Sequence, residues 1–186
     1  MKNSLQNAKK IASAHFATDM MLLEDPLEYL SEDHFRAKTV CETIRRVVKS
    51  DAPGKTDLVE ILSFLRSELP LLLHDEDDDL CELLRTRVLP EDGFEHLSQK
   101  VVELHKSIDL KRLQLIEAVE NLVAGKEDMA PQFLIMLSEL EREVREDMIM
   151  ENAKLMPLAR ARLTPDDIAK LRSLMLRRHI ADLDRA

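Results

Sequence analysis

Glycine and aromatic residues are scarce in this chain, which has three glycines and 3% aromatics among its 186 residues. β-Sheets use glycine in their turns and favour aromatic and β-branched residues in their strands. The chain is instead rich in Leu, Ala, Glu, Arg, Lys and Met, which are strong helix formers. The composition therefore predicts an all-α fold, and the length predicts one domain with a substantial core.

Several features that define other protein classes are also missing. No run approaches the roughly 18 apolar residues of a membrane span, and the N-terminus lacks the apolar stretch of a signal peptide. Cys41 and Cys81 form no C-x-x-C pair and are interpreted as reduced structural thiols. The net charge of −9 argues against a general nucleic-acid surface. We therefore expect a cytoplasmic protein with no nucleic-acid or membrane partner.

Apolar residues recur at helical spacing in four long segments that are separated by turn signals. The predicted long helices run over residues 26–50, 56–88, 94–124 and 130–163. Long helices joined by short turns pack as an up-down-up-down four-helix bundle. The bundle is expected to cover residues 25–163, with short flanking helices at 1–24 and 164–186 in the same domain. Pro70 and Pro157 are expected to bend their helices without ending them.

Polar residues interrupt the apolar stripe of each long helix at one level. At ~1.5 Å per residue, these positions in an antiparallel bundle agree in depth to within one or two turns. The residues predicted to converge on this layer are His34, Glu76, His105, Asp109, Asp147 and Glu151. Burying carboxylates without partners is costly, so the layer must either form a hydrogen-bonded cluster or bind a cation.

The balance of acids and histidines favours the cation. Carboxylates outnumber imidazoles in this layer, so protonating both histidines still leaves an excess of negative charge. Inward acids and histidines on facing helices are also how di-metal carboxylate sites are built in helical bundles. The sequence predicts a metal site, and a satisfied polar cluster in the core stays open as the alternative.

Short motifs close to these residues are similar to those of a known family. They lie at residues 25–30 (DPLEYL), 33–36 (DHFR), 69–71 (LPL), 75–80 (DEDDDL), 90–92 (PED) and 151–160 (ENAKLMPLAR). In these segments the chain resembles the hemerythrin-like (HHE) cation-binding proteins of the bacterial cytoplasmic branch. The resemblance covers nearly the whole predicted bundle.

The resemblance implies a two-iron site. The family places a histidine on the first helix, His-x-x-x-Glu on the second, a histidine on the third and His-x-x-x-Glu on the fourth. By this pattern His34 and His105 are imidazole ligands, and Glu76 and Glu151 bridge or cap the metals. Asp109 lies where some members place a further ligand.

Two positions depart from the family pattern. Leu72 replaces the histidine of the second helix and cannot bind metal, and Asp147 replaces the histidine of the fourth helix. A site with more carboxylate ligands favours iron or manganese and weakens the case for reversible O2 carriage. The first hypothesis is therefore an altered di-iron or manganese site that senses or binds O2, NO or redox state.

The second hypothesis is a metal-free helical module that acts in regulation or protein interaction, with another protein or a second copy as partner. In that case the fold is retained while the metal site is degenerate. Nothing resembles a phosphate-binding loop, a Ser-His-Asp order or an H-E-x-x-H zinc helix, so enzymatic turnover is not indicated.

Three further features are interpreted as parts of the ordinary surface. The acidic run of residues 75–79 is predicted to be mostly solvated, with only Glu76 facing inward. His74 is predicted to be exposed beside these acids, and His179 to be an ordinary surface or inter-helix residue. The basic stretch of residues 160–178 is predicted to be a solvated helix face.

Overall fold

A computed structural model gives the structure of residues 18–50, 52–126 and 129–184. Every regular element within these ranges is helical and none is a strand, which confirms the all-α prediction. Most of the predicted N-terminal helix lies outside the described residues, apart from the 3-10 turn Met20–Glu24. No described helix combines the length and the apolar character needed to cross a bilayer.

Five longer helices follow that turn along the described chain, with the short 3-10 helix Pro90–Asp92 between the second and the third. They are α1 at Pro26–Lys49, α2 at residues 55–85, α3 at Phe94–Val123, α4 at residues 131–162 and α5 at Pro165–Leu183. Side-chain caps mark where α1 and α5 begin. The Asp25 side chain accepts hydrogen bonds from the first N–H groups of α1, and Thr164 and Asp167 form a capping box at the start of α5.

Helices α2 and α4 each continue through π-helical turns, in which hydrogen bonds span five residues instead of four. These turns are Phe64–Glu68 and Asp75–Cys81 in α2 and Glu151–Leu155 in α4. The first and last of them lie immediately before a proline-containing turn, at Pro70 and Pro157.

Proline chemistry explains these two wide turns. Proline has no N–H to donate, and its ring crowds the carbonyl four residues earlier. The residue just before each proline instead donates to the carbonyl five residues back, from Leu69 to Phe64 in α2 and from Met156 to Glu151 in α4. Each helix passes its proline with a widened turn and does not end there, as predicted.

The four long helices share one apolar core. Helix α1 packs against α2 and α4, and α3 packs against the same two helices, while α5 contacts α1 and the π-helical turn Asp75–Cys81. Fully buried core side chains come from all five helices, among them Leu30, Leu65, Ile108, Leu137 and Leu171.

Candidate metal centre

Five of the six predicted ligands meet in the middle of the core. Glu76, His105, Asp147 and Glu151 each offer one ligand atom, and these atoms lie within 4.8 Å of one another. His34 joins them from α1, with its Nε2 atom 2.6 Å from Glu76 Oε1 and 3.3 Å from Glu151 Oε2. All five residues are buried, with 4% or less of their surface exposed. This cluster of His34, Glu76, His105, Asp147 and Glu151 is hereafter the core cluster.

The two glutamates lie between the two histidines. Glu76 presents Oε1 to His34 and Oε2 to His105, the latter at 3.8 Å from Nε2. Glu151 presents Oε2 to His34 and Oε1 to His105, at 3.3 and 3.5 Å. Asp147 adds Oδ2 at 2.9 Å from His105 Nε2. The core cluster therefore has a His34 end and a His105 end, which share both glutamates.

Several carboxylate oxygens of the core cluster are buried without a hydrogen bond to any described residue. They are Glu76 Oε2, Asp147 Oδ1 and both side-chain oxygens of Glu151. The histidine nitrogens near Glu151 are close enough for electrostatic attraction, but their direction does not suit a hydrogen bond. Ionised carboxylates only accept hydrogen bonds, so a cation would satisfy these oxygens together. The donor set fits a metal ion.

The pKa values show how strongly these groups are coupled. Burial and the charge of Glu151 raise the pKa of Glu76 well above its usual range and that of Asp147 to about 6. Burial opposes ionisation of Glu151 too, but the contacts with His105 and His34 lower its pKa to about 2. Burial lowers the pKa of both histidines, yet the facing carboxylates outweigh it and raise both well above 6.5. Protons and a metal would therefore compete for the same atoms.

Both shared glutamates lie in π-helical turns, a feature that is frequent at functional sites. Glu151 begins the turn that precedes Pro157, so its position follows from the missing N–H of that proline. Glu76 lies in the turn Asp75–Cys81, which contains no proline. The sequence therefore carries a signal, Pro157, for the wide turn at Glu151, and none for the wide turn at Glu76.

Asp109 is the predicted ligand that the structure places elsewhere. Its Oδ1 atom accepts a hydrogen bond from Arg112 Nε at 2.7 Å, and its side chain is 44% exposed. Arg112, whose side chain is 11% exposed, also donates to the carbonyl of Leu65, which places the pair beside α2. Arg112 thus satisfies Asp109 outside the core cluster, and the structure does not bring Asp109 together with the other five predicted ligands.

Two neighbouring positions agree with their predictions. Leu72, which replaces a family histidine, is buried among apolar core residues and offers no ligand. His74 is exposed, and its Nδ1 atom lies 2.9 Å from Asp78 Oδ2. This histidine therefore belongs to the surface, as predicted.

The acidic run of residues 75–79 corrects a prediction, because it is only partly solvated. Asp75 is fully buried and Asp79 nearly so, and Arg178 contacts both carboxylates. His179 is also buried, with Nε2 at 2.6 Å from Asp75 Oδ2 and Nδ1 at 3.3 Å from the Tyr29 hydroxyl. Asp75 accepts from Nε2, so in the neutral ring Nδ1 accepts from Tyr29. We call Tyr29, Asp75, Asp79, Arg178 and His179 the α5 network.

The α5 network was missed because its partners are about a hundred residues apart in the chain. Arg178 also belongs to the basic stretch that was predicted to be solvated, and its side chain is only 23% exposed. No spacing rule within one helix could have paired these residues.

Comparison with protein families, with curated proteins and with solved structures finds no match to this chain. The resemblance to hemerythrin-like proteins therefore rests on the short motifs alone. The argument for metal binding is separate, because it rests on the contacts and burial of the core cluster.

Proposed function

We propose that this protein binds a pair of divalent transition-metal ions, iron or manganese, in the core cluster. The observation that supports this most directly is the set of buried carboxylate oxygens that have no hydrogen bond. Leaving each such group unsatisfied is expensive, and a positive ion between the glutamates removes that cost for all of them. The mixture of two imidazoles and three carboxylates suits these metals.

The contacts suggest how two ions would be held. Glu76 and Glu151 would be shared by both positions, since each offers one oxygen to each end. His34 would complete one position, and His105 with Asp147 the other. When bound, the metals would supply a redox-active Lewis-acid centre that accepts a small ligand.

The surroundings favour a very small external ligand. The grooves next to the core cluster are lined by His34 on one side and by His105 on the other, but by neither glutamate. Glu76 and Glu151 are fully buried. We therefore propose a hemerythrin-like role within an up-down-up-down four-helix bundle, with O2, NO or redox state as the signal that the site senses or binds.

Metal content of protein purified without chelator, measured by elemental mass spectrometry, tests this proposal. We expect about two equivalents of iron or manganese in the wild type. The variant His34→Ala/His105→Ala should lose the metal. The variant His74→Ala/His96→Ala is the matched control, because it removes two exposed histidines and should keep the metal. Low metal content that is equal in all three proteins would contradict the proposal.

A second candidate is a metal-free module that binds another protein. It is favoured by the short contacts that each histidine makes with a carboxylate, 2.6 Å for His34 and 2.9 Å for His105, which a proton alone can satisfy. Leu110 and Ile135 also line a common surface groove while being 63% and 59% exposed. In this case the same metal analysis gives no bound ion in folded protein.

A further inference from the structure

Each histidine of the core cluster has a hydrogen-bond acceptor behind it, on the side away from the glutamates. Nδ1 of His34 lies 3.2 Å from Oδ1 of Asn152. The orientation of this amide is fixed, because its Nδ2 atom donates to the carbonyl of Met148 at 2.8 Å. Oδ1 can only accept, so Nδ1 of His34 carries the proton and Nε2 is directed at Glu76.

His105 has a charged partner behind it, at ion-pair distance. Its Nδ1 atom lies 3.0 Å from Oδ1 of Asp77, off the ideal line of a hydrogen bond. Both atoms are buried, and neither has a hydrogen bond to any other described residue. Asp77 directly follows Glu76 in the same π-helical turn. This short segment therefore contacts His105 from two sides, with Glu76 near Nε2 and Asp77 near Nδ1.

Such outer partners matter in metal sites for two reasons. They fix which ring nitrogen is free to bind the metal, and they make the imidazole a stronger donor. A carboxylate partner makes the imidazole a stronger donor to the metal than an amide partner does, because the carboxylate carries a full negative charge. The His105 end also has Asp147 next to it, whereas no third carboxylate of the core cluster contacts His34.

We propose that Asp77 and Asn152 are positioning residues that present the Nε2 atoms of His105 and His34 to metal, and that they make the two positions unequal. The His105 end then binds a divalent cation first and more tightly than the His34 end. This inference rests on the proposed metal function. It goes beyond it by naming the residues outside the ligand set that control metal affinity at each end.

Exchanging the two partners tests the proposal with little change of shape. The variants are Asp77→Asn and Asn152→Asp, and Asp78→Asn is the matched control because it removes the same charge one residue away at a side chain that is 60% exposed. Mn(II) is titrated into metal-free protein without oxygen, and the free ion is counted by electron paramagnetic resonance. Thermal unfolding of each metal-free variant shows whether it is folded.

In the wild type we expect two binding steps of different affinity. Asp77→Asn should weaken the tighter step by roughly 10-fold or more and leave the weaker step unchanged. Asn152→Asp should strengthen the weaker step by a smaller factor, because Asn152 is exposed and its charge would be screened. Asp78→Asn should leave both steps as they are.

Other outcomes would overturn the inference. It is wrong if folded Asp77→Asn binds Mn(II) like the wild type, if it behaves like Asp78→Asn, or if the two exchanges shift affinity in the same direction. A folded wild-type protein that binds no Mn(II), iron or other divalent ion would instead refute the proposed metal function itself.

Discussion

Asp75 and Glu76 are consecutive in α2 and contact different helices. Asp75 binds His179 and Arg178 of α5, whereas Glu76 binds His34 inside the core cluster. Both lie in the π-helical turn Asp75–Cys81. One wide turn therefore joins the candidate metal centre to the helix that follows the four long ones.

The first prediction concerns Asp75 and the attachment of α5. Asp75→Asn removes the carboxylate that contacts His179 and one of the two that contact Arg178; because Asp79 still faces Arg178, we expect a loss of roughly 1–3 kcal/mol of unfolding free energy. Urea unfolding of metal-free protein measures the loss. Asp78→Asn, at an exposed position, should change the unfolding free energy by less than about 0.5 kcal/mol. If Asp75→Asn lowers the unfolding free energy by less than about 0.5 kcal/mol, as expected for Asp78→Asn, the α5 network adds no stability.

The second prediction is that metal stabilises the folded protein. An ion that binds only the folded state adds about 2.7 kcal/mol when its free concentration is 100 times the dissociation constant. Thermal unfolding should therefore shift upward with Mn(II) or Fe(II) and return to its starting value with a chelator. The His34→Ala/His105→Ala variant should show no such shift. A shift of the same size in that variant would place the binding site elsewhere.

The third prediction is that metal-free protein loses stability as pH rises from about 6.5 to 8. Folding raises the pKa of His34 and His105 well above 6.5, so the folded state holds more protons in this range than the unfolded state. Stability falls as pH rises wherever the folded state binds more protons than the unfolded state. Burial also raises the pKa of Asp33 to about 7, which acts in the same direction.

Urea unfolding at pH 6, 7 and 8 in the presence of chelator measures this dependence. Saturating Mn(II) should reduce the decline, because the metal then replaces the protons that are lost. The opposite sign applies to Glu151, whose lowered pKa of about 2 gives stability that is present above about pH 4.5 and lost on acidification. Metal-free stability that rises between pH 6 and 8 would contradict the charge arrangement of the core cluster.

The fourth prediction links Pro157 to the position of Glu151. Pro157→Ala restores an N–H group, which allows the preceding turn to return to α-helical hydrogen bonding and moves Glu151. We expect stability of metal-free protein to rise by on the order of 1–3 kcal/mol, since proline is the poorest helix former, while Mn(II) affinity falls. Pro70→Ala is the matched control, because the wide turn before Pro70 contains no residue of the core cluster.

Mn(II) titration and urea unfolding of the wild type, Pro157→Ala and Pro70→Ala check this prediction. In Pro70→Ala the stability should rise and the affinity should stay close to that of the wild type. Unchanged affinity in Pro157→Ala would mean that the wide turn at Glu151 does not depend on the proline.

Helix positions were predictable because the signals that set them are local. Asp25 and Thr164 cap helices from the residue just before each one, and the apolar spacing repeats within a few turns. Histidine or glutamate in place of an apolar residue also assigned His34, Glu76 and Glu151 to the inner stripes, and all three are buried. Their burial follows from that spacing alone.

The partner of each polar side chain was decided by the tertiary structure. Asp109 lies one turn from His105 in the sequence, yet Arg112 holds it at the surface. The sequence predicts that Asp75 is one of several solvated acids, but in the folded protein His179 of α5 contacts it. A helical repeat fixes the direction of a side chain within its own helix, but which charges neutralise one another depends on which helix faces meet.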